Sequence, residues 1–397
     1  MEKKFIPYGK QSVDEEDIQA VVDVMKGDWL TQGPKIAEFE KTLSARVGAG
    51  FGVALATGTA ALHAACFAAG IGEGDEILTA PITFAASGNC ALFLGAHVRF
   101  VDVRPDTYCL DPKKLEKAIT KKTKAVIPVD FAGQPCDMEE INAIAKKHGL
   151  TVIHDAAHSL GASYRKNPVG SLADMTIFSF HPVKLITTGE GGMVVTSRKD
   201  LDAKLRLFRT HGITTEESLM SGSAVSDNEG PCVSNPPGRA GWYYDMIALG
   251  YNFRITDLQC ALGLSQLKKL EGFIRRRREI ALRYTEAFSK NDCLIPPHQE
   301  KDRQSAWHLY MLRLRLDRLK KSRRQIFDEL RSLGIGVHVH YIPLHLLSYY
   351  RKRFGHKRGD FPIAEAYYDS ALTLPLFPSL TDEDVDRVIR TVLETCR

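Results

Sequence analysis

Residues 179–196 read SFHPVKLITTGEGGMVVT and join two apolar strands through a turn that carries a lysine. The first strand, predicted over Met175–Phe180, must stop there because Pro182 has no N–H to give to a sheet ladder. The glycines of GEGG predict a tight turn into a second strand over Gly192–Thr196. Lys184 therefore lies on the connection between the two strands. If it is buried, its ammonium group loses solvation, its pKa falls and the free amine becomes a nucleophile.

The same alternation of elements extends upstream to residue 51. Short apolar runs alternate with stretches of helical periodicity, which favours an α/β fold with a mostly parallel sheet covered on both faces. The predicted strands are Phe51–Ala56, Glu76–Thr79, Val98–Val101, Ala125–Val129 and Thr151–His154, and the predicted helices are Ala60–Ala69, Phe84–Leu94 and Met138–Lys147.

The second half of the chain has a different pattern. Residues 214–241 are polar and rich in turn-forming residues, which is typical of a long surface loop. Beyond Thr256 the apolar residues recur at helical spacing and predict a long helix, which would act as a spine between two lobes. We expect this spine to join a large domain with an N-terminal arm, residues 1–260, to a small C-terminal α+β domain, residues 261–397. In the small domain the predicted strands are Tyr310–Leu316 and Gly336–Tyr341, and the predicted helices are Ser322–Leu333 and Asp382–Thr395.

The composition argues against several classes of protein. The 397 residues are 44% hydrophobic and 25% charged, with a net charge of +5, which is ordinary for a globular chain and does not indicate nucleic-acid binding. No apolar run reaches the roughly 18 residues that a membrane helix needs, and we see no signal-peptide pattern at the start. The eight cysteines are scattered without a CxxC pair, so we expect reduced thiols and a cytoplasmic location.

Two further segments place polar groups where predicted strands end. ATGTAAL, residues 56–62, has a Gly/Thr turn between a strand and a helix, where free N–H groups and the helix dipole favour an anion such as phosphate. HDAAH, residues 154–158, places Asp155 at the carboxyl end of a buried strand, where open α/β sheets bind ligands. Each segment alone also has a plainer interpretation, since Thr59 and Asp155 both suit helix N-caps.

His338 and His340 alternate along a predicted strand and would share one of its faces. Two histidines could bind a metal ion. With no carboxylate or third histidine nearby in the sequence, however, a substrate pocket or ordinary packing fits them better. We therefore expect no metal.

Taken together, these segments resemble the DegT/DnrJ/EryC1/StrS family of sugar aminotransferases. That family's SFxxxKxxxxGEGGxxxT stretch, which carries the lysine that binds pyridoxal 5′-phosphate (PLP), matches residues 179–196. The resemblance implies a PLP-dependent transferase of fold type I, similar to aspartate aminotransferase, with a large mostly parallel sheet domain and a smaller C-terminal α+β domain. The other segments that carry it are LTQGPKIAEFEK at 30–41, ATGTAAL at 56–62, PITFAASGNCALFLGA at 81–96, VDFAGQP at 129–135, HDAAHSLG at 154–161, LGYNFRITDLQCALGLSQLKKL at 249–270 and VHYIPLH at 339–345.

The resemblance also implies roles for single residues. Lys184 would bind PLP as a Schiff base and move the proton, and Asp155 would pair with the pyridine nitrogen so that the ring accepts electrons. The other cofactor contacts would be Gly58, Thr59 and Ser179 at the phosphate, Phe84 on the ring face, His158 near the ring hydroxyl, and Asn252 at the phosphate from the neighbouring subunit. The place of Asn252 implies a homodimer with shared active sites. The residues that would shape the nucleotide-sugar pocket are Tyr8, Trp29, Leu30, Thr31, His308, Tyr310, His338 and Tyr341.

Within the family, the sequence resembles the branch that aminates C4 of a UDP-linked 4-keto-6-deoxy-N-acetylhexosamine in pseudaminic acid biosynthesis. The shared details are LTQG, the H-x-x-K-x-I-T-T spacing before GEGG, and NFRIT followed by QCALGLSQLKK. An aminotransferase that takes its amino group from L-glutamate is therefore predicted. Three alternatives stay open: an aminotransferase for another nucleotide keto sugar, a dehydratase acting at C3, and a PLP-binding regulatory protein. Retention of Lys184 argues against the dehydratase, in which a histidine replaces it, and Asp155 and Ser179 beside it argue against a regulator.

Overall fold

A computed structural model describes residues 5–216, 219 and 244–397 of the chain. Its helices are α1 (Glu15–Met25), α2 (Pro34–Arg46), α3 (Gly58–Ala68), α4 (Ala85–Leu92), α5 (Pro112–Ala118), α6 (Met138–His148), α7 (Lys199–Arg209), α8 (Asp257–Phe288), α9 (Arg323–Ser332), α10 (Ser348–Phe354), α11 (Pro362–Ser370) and α12 (Asp382–Thr395). Its strands are β1 (Phe51–Leu55), β2 (Glu76–Thr79), β3 (His97–Phe100), β4 (Thr123–Ile127), β5 (Thr151–Asp155), β6 (Ser163–Tyr164), β7 (Asn167–Pro168), β8 (Met175–Ser179), β9 (Gly192–Thr196), β10 (Ile213–Thr214), β11 (Asp245–Met246), β12 (Leu294–Ile295), β13 (Arg303–Gln304), β14 (Tyr310–Leu314) and β15 (Ala371–Leu374).

The largest sheet of the described residues has seven strands in the order β1-β9-β8-β5-β4-β2-β3. The strands from β8 to β3 are parallel to one another, and β9 runs antiparallel to both of its neighbours. The reversal at β9 follows from its connection to β8. Residues 180–191 contain no helix, so they do not form the helical crossover that usually joins two parallel strands. The prediction of a mostly parallel α/β sheet is confirmed.

Helices cover both faces of this sheet, which explains the continuous apolar runs of its central strands. Alternate residues of β8 point to opposite faces. Ile177 packs in the cluster that contains Ala61 of α3, and Phe178 packs in the cluster that contains Phe39 of α2.

The long helix α8 contacts elements from both ends of the chain. It begins with a capping box, in which the Thr256 hydroxyl accepts from the Gln259 N–H and the Gln259 side chain accepts from the Thr256 N–H. Along its length it contacts α1, α2 and α12. The division proposed between residues 260 and 261 falls in the first turn of this helix and stays a prediction.

The C-terminal lobe contains the antiparallel sheet β12-β14-β15, which packs on α8, α9 and α12. The predicted strand Gly336–Tyr341 is wrong, because this segment makes one isolated bridge, from His338 to Thr373 of β15. The backbone of the segment meets the outer edge of β15 only through the paired hydrogen bonds of His338 and Thr373. Its start is held elsewhere, because the Gly336 N–H donates to the Ile6 carbonyl at 2.7 Å.

Most of the predicted 214–241 loop lies outside the described residues. Beyond it, β11 pairs with β10. None of the helices given above combines the length and the apolar character that a membrane span requires.

Candidate active site

A cavity of about 630 Å³ opens at the carboxyl ends of the parallel strands. Thr57 follows β1, Thr83 follows β2, Asp155 ends β5 and Ser179 ends β8. This edge is where open α/β sheets bind their ligands. Of the residues predicted for the site, those that line the cavity are Tyr8, Gly58, Thr59, Phe84, Asp155, His158, Ser179, Lys184, His308, His338 and Tyr341.

One wall of the cavity is formed by the N-terminus of α3. The Thr57 hydroxyl accepts from the Ala60 N–H at 3.0 Å, so Thr57 is the N-cap and Thr59 is not. Gly58 lies so close to Ser179 that a Cβ added to it would stand 3.0 Å from the serine Cβ and Oγ. The Ser179 hydroxyl and the start of a helix thus meet at one place, which suits a phosphate group.

Asp155 is a buried carboxylate in the cavity wall, 4% exposed. Its Oδ2 accepts from the Ser87 hydroxyl at 2.6 Å and its Oδ1 accepts from the Ala157 N–H at 3.2 Å. Residues 156–162 form turns and no helix, so the N-cap interpretation of Asp155 does not apply. Burial raises the pKa of this carboxyl, and the Ser87 hydroxyl, the Ala157 N–H and the charge of Lys184 act against that rise. Donors of this kind allow a buried carboxylate to stay ionised.

Lys184 lies on the turn that follows β8. Its backbone N–H donates to the His181 carbonyl at 2.8 Å, and its side chain lines the same cavity as Asp155. Desolvation lowers the pKa of its amine to about 8, and the charge of Asp155 acts against that shift. Near neutral pH a substantial part of this amine is the free base, which is the form that attacks a carbonyl carbon.

Buried aromatic side chains form a further wall of the cavity. His158 Nε2 lies 3.3 Å from the Tyr341 hydroxyl, and the ring of His308 packs on the ring of His158 with centroids 4.4 Å apart. His340 Nδ1 lies 2.8 Å from the Thr373 hydroxyl. Desolvation lowers the pKa of all three histidines, and the charge of Lys184 adds to the effect. These imidazoles are therefore neutral near pH 7.

Two aromatic residues border the mouth of the cavity. Phe84, at the N-cap of α4, is 60% exposed, and its ring centroid lies 6.1 Å from that of Tyr341. An exposed ring on a cavity wall offers its face to a flat ligand. Tyr8 packs against the rings of His338 and His340 and ties the N-terminal segment to this wall.

Trp29, Leu30, Thr31 and Asn252 do not line the cavity of their own chain. Thr31 forms a β-bridge with Thr256, and the Leu30 carbonyl accepts from the N–H of the first residue of α8 at 3.0 Å. Asn252 lies on the loop that leads into the same helix and is exposed. These residues therefore belong to one surface region around the start of α8.

The prediction that Tyr310 lines the nucleotide-sugar pocket is wrong. The Tyr310 side chain is fully buried in the core of the C-terminal lobe, and its hydroxyl lies 3.1 Å from that of Thr285. Side chains alternate along β14, so its neighbours Leu309 and Met311 pack in a different cluster, beside the large sheet.

Several residues that line the cavity were not predicted from the sequence. Thr83 and Ser87 are four residues apart at the start of α4, and their hydroxyl oxygens lie 2.7 Å apart. Thr83 precedes the N-cap of α4, so helical spacing does not relate the two residues; the signal that could have found them is that PITFAAS follows β2 at the edge of the sheet where ligands bind. Further polar lining residues that were not predicted include His181 and Glu190, and His340, interpreted from the sequence as a pocket or packing residue, lines the cavity as well.

The cavity contains the groups that PLP requires. Lys184 would supply the amine for covalent attachment, Asp155 a carboxylate for the pyridine nitrogen, the start of α3 with Ser179 an anion cradle, and Phe84 a ring face; all of them line this one cavity. When bound, PLP supplies an electron sink for a carbanion formed on the substrate.

Known proteins that are similar to this chain identify its family. The sequence pattern of the DegT/DnrJ/EryC1/StrS aminotransferase family matches residues 11–393. The chain is 43% identical to the spore coat polysaccharide biosynthesis protein SpsC of Bacillus subtilis, over 98% of this chain and 96% of that protein. It is 38% identical to the UDP-4-amino-4,6-dideoxy-N-acetyl-beta-L-altrosamine transaminase of Campylobacter jejuni, with the same two coverages, 98% and 96%.

Solved structures agree with that result. Helicobacter pylori PseC, an aminotransferase involved in the biosynthesis of pseudoaminic acid, is 32% identical with a TM-score of 0.88 over 99% of both chains. Spr1654 of Streptococcus pneumoniae, assigned as a sugar aminotransferase and solved in its PLP form, is 32% identical with a TM-score of 0.87 over 99% of this chain and 98% of that one. Fold type I and the PLP cofactor, both predicted from the sequence, are thereby confirmed. The chain belongs to the DegT/DnrJ/EryC1/StrS aminotransferase family.

Proposed function

We propose that this sugar aminotransferase moves an amino group from L-glutamate to C4 of a UDP-linked 4-keto-6-deoxy-N-acetylhexosamine, as UDP-4-amino-4,6-dideoxy-N-acetyl-β-L-altrosamine transaminase does. The observation that carries the proposal is the meeting of a low-pKa amine at Lys184 and a buried carboxylate at Asp155 in one cavity with an anion cradle. Similarity to the Campylobacter transaminase and to PseC along nearly the whole chain supports the choice of sugar.

Each residue at the centre of the cavity has a separate task in this proposal. Lys184 would act as the base that takes the proton from the donor α-carbon and would return a proton in the sugar half of the reaction, while PLP, when bound, would supply the electron sink. Asp155, whose carboxylate accepts from the Ser87 hydroxyl and the Ala157 N–H, would pair with the pyridine nitrogen. Neutral His158, which is in hydrogen-bonding distance of Tyr341, contacts the ring hydroxyl. The remaining cofactor contacts are made by Gly58, Thr59, Ser179 and Phe84.

The sugar half of the reaction needs contacts away from the reacting carbon, because a 4-keto sugar has no carboxylate to be held. Tyr8, His308, His338 and Tyr341 line the cavity, where the ring of His308 packs on that of His158, and would shape this pocket. Their rings are apolar bodies with polar edges, which suits a nucleotide sugar.

We further propose a homodimer in which the two copies share their sites. Asn252, which would reach the phosphate of the partner's cofactor, directly follows a segment with exposed apolar residues: Leu249 is 75% and Tyr251 is 41% exposed. Trp29 and Leu30, near the start of the same helix, are 58% and 50% exposed. Apolar exposure concentrated in one region is typical of an interface. The described cysteines are free thiols, which supports a cytoplasmic enzyme.

Another nucleotide keto sugar is the second candidate substrate. SpsC, at 43% identity, is more similar than the altrosamine transaminase, at 38%, and its name refers to spore coat polysaccharide biosynthesis. A UDP-linked precursor of another glycan or a dTDP-linked keto sugar would fit the same catalytic groups.

A substrate panel tests the proposal. The purified protein is incubated with PLP, L-glutamate and a set of UDP- and dTDP-linked 4-keto and 3-keto sugars, and the products are identified by NMR. We expect 2-oxoglutarate and a 4-amino sugar from the UDP-linked 4-keto-6-deoxy-N-acetylhexosamine, and none with Lys184→Ala. If only a different sugar is converted, that sugar would take the place of the proposed substrate. If a C3 hydroxyl is lost without any need for glutamate, the proposed transamination would be wrong and the protein would be a dehydratase.

Two further measurements test the cofactor lysine and the shared sites. Borohydride reduction should fix the cofactor on the peptide that contains Lys184, and a label on another lysine would overturn its role. Mixing inactive Lys184→Ala chains with inactive Asn252→Ala chains should restore part of the activity if Asn252 acts across the dimer. No recovery in mixed dimers of proven composition would count against shared sites.

A further inference from the structure

Asp155 is held by a short relay of hydroxyl groups that approaches it from α4. The Ser87 hydroxyl donates to Asp155 Oδ2 at 2.6 Å, and the Thr83 hydroxyl lies 2.7 Å from the Ser87 oxygen. Ser87 is 1% exposed and Thr83 is 2% exposed. Both residues line the same cavity as Lys184.

The direction of the two hydrogen bonds follows from the number of protons available. A hydroxyl has one proton to donate. If Asp155 is ionised it can only accept, so the Ser87 proton points at the carboxylate, and Thr83 must then donate to the Ser87 oxygen. If Asp155 is protonated, both bonds can reverse. The relay is therefore oriented by the charge of the carboxylate, and it stabilises the ionised form because hydrogen bonds to a charged acceptor are stronger than those between neutral groups.

We propose that Ser87, supported by Thr83, is a positioning residue that keeps Asp155 ionised and directed at the pyridine nitrogen of PLP. Burial by itself favours the neutral carboxylic acid. A neutral Asp155 would carry a proton of its own and would hold the protonated pyridine nitrogen less strongly. The inference rests on the binding of PLP, and not on the identity of the sugar.

A purely structural role is the competing explanation, since a buried serine also packs α4 on the sheet. The chain offers a matched comparison. Ser159 is likewise buried, and its hydroxyl donates to Asp130 Oδ2 at 2.6 Å. Asp130 lies 2.7 Å from His154, whose side chain and that of Asp155 leave β5 on opposite faces. Removing either serine hydroxyl therefore deletes the same kind of bond at the same depth, but of the two only the Ser87 hydroxyl donates to the Asp155 carboxylate.

The test compares Ser87→Ala, Thr83→Val and Ser159→Ala in the full-length protein. PLP affinity is measured by titrating cofactor into the cofactor-free protein, the visible absorbance of the bound cofactor is recorded against pH, and thermal unfolding of the cofactor-free protein reports stability. We expect Ser87→Ala to bind PLP about tenfold to a hundredfold more weakly, because a bond to a charged group is lost. Ser87→Ala should also shift the midpoint of the curve of bound-cofactor absorbance against pH. Thr83→Val should change both readouts in the same direction by less.

Ser159→Ala should lower the unfolding temperature about as much as Ser87→Ala while leaving the affinity and the absorbance titration close to those of the wild type. PLP affinity of Ser87→Ala within about twofold of the wild type, or an equal loss in Ser159→Ala, would overturn the inference. If Ser87→Ala does not fold, the same two criteria apply to the PLP affinity of Thr83→Val. Because no sugar is used, these outcomes are independent of the substrate panel: an enzyme inactive on every sugar could still show the Ser87 effect.

Discussion

We expect the Lys184 amine to titrate near pH 8 in the cofactor-free protein. The charge of Asp155 should determine how far the pKa of this amine falls below that of an ordinary lysine. Desolvation lowers the pKa of the amine to about 8, and the carboxylate raises it. As the pH rises through this value the free base replaces the ammonium. At pH 7.5 an amine with a pKa of 8 is about one-quarter free base, whereas an ordinary lysine is about 0.1% free base.

The perturbation is Asp155→Asn, which removes the charge but keeps an oxygen that can accept from Ser87. Without the anion, the ammonium form of Lys184 loses its stabilising neighbour, and its pKa should fall further, by on the order of one unit. The free-base fraction at pH 7.5 would then rise to about three-quarters, a gain of about threefold.

Competitive acetylation measures this titration directly. The cofactor-free protein is labelled with a trace of acetic anhydride at a series of pH values, and mass spectrometry quantifies acetylation of the Lys184 peptide against a free lysine standard. The midpoint of the resulting curve does not depend on how accessible the amine is. Glu190→Gln is the control, because Glu190 also lines the cavity but is exposed and does not contribute to the pKa shift of Lys184. A wild-type midpoint above pH 10, or a midpoint that rises in Asp155→Asn, would refute the reasoning.

Three further substitutions have defined outcomes. Gly58→Ala should weaken PLP binding with little loss of stability, because the added Cβ stands 3.0 Å from Ser179 Oγ at the phosphate cradle; unchanged affinity in a cofactor titration would remove Ser179 from the cradle. Gly33→Ala should lower the free energy of unfolding by about 1–3 kcal/mol in urea, since its Cβ would stand 2.4 Å from the Trp29 Cβ and 2.8 Å from Asp257 Oδ1; a smaller change would show that this segment adjusts freely. Phe84→Leu should weaken PLP binding by about 0.5–1.5 kcal/mol without changing the melting temperature of the cofactor-free protein, because the ring is 60% exposed there; a large loss of stability would mean that the ring is part of the core.

The local parts of the site could be predicted from the sequence because each depends on neighbours a few residues away. Pro182 ends β8, the glycines of GEGG return the chain into β9, and Lys184 falls on the connection between them. The capping box of Asp14 and Asp17 at α1 and the proline that starts α2 mark helices that the apolar pattern did not indicate.

The tertiary structure alone decided which distant groups meet. Ser87 and Asp155 are 68 residues apart, and His158 and Tyr341 are 183 apart, and no local pattern relates such pairs. The tertiary structure also decided which part of the molecule each face of a strand contacts. Alternation along β14 predicts that Tyr310 and its neighbours face opposite ways, but both of those faces are buried, and packing against α8 placed Tyr310 in the core. Lys184 itself shows the same division: its position on a turn is local, whereas the desolvation that makes its amine reactive and the carboxylate that opposes that shift come from elements brought together by the fold.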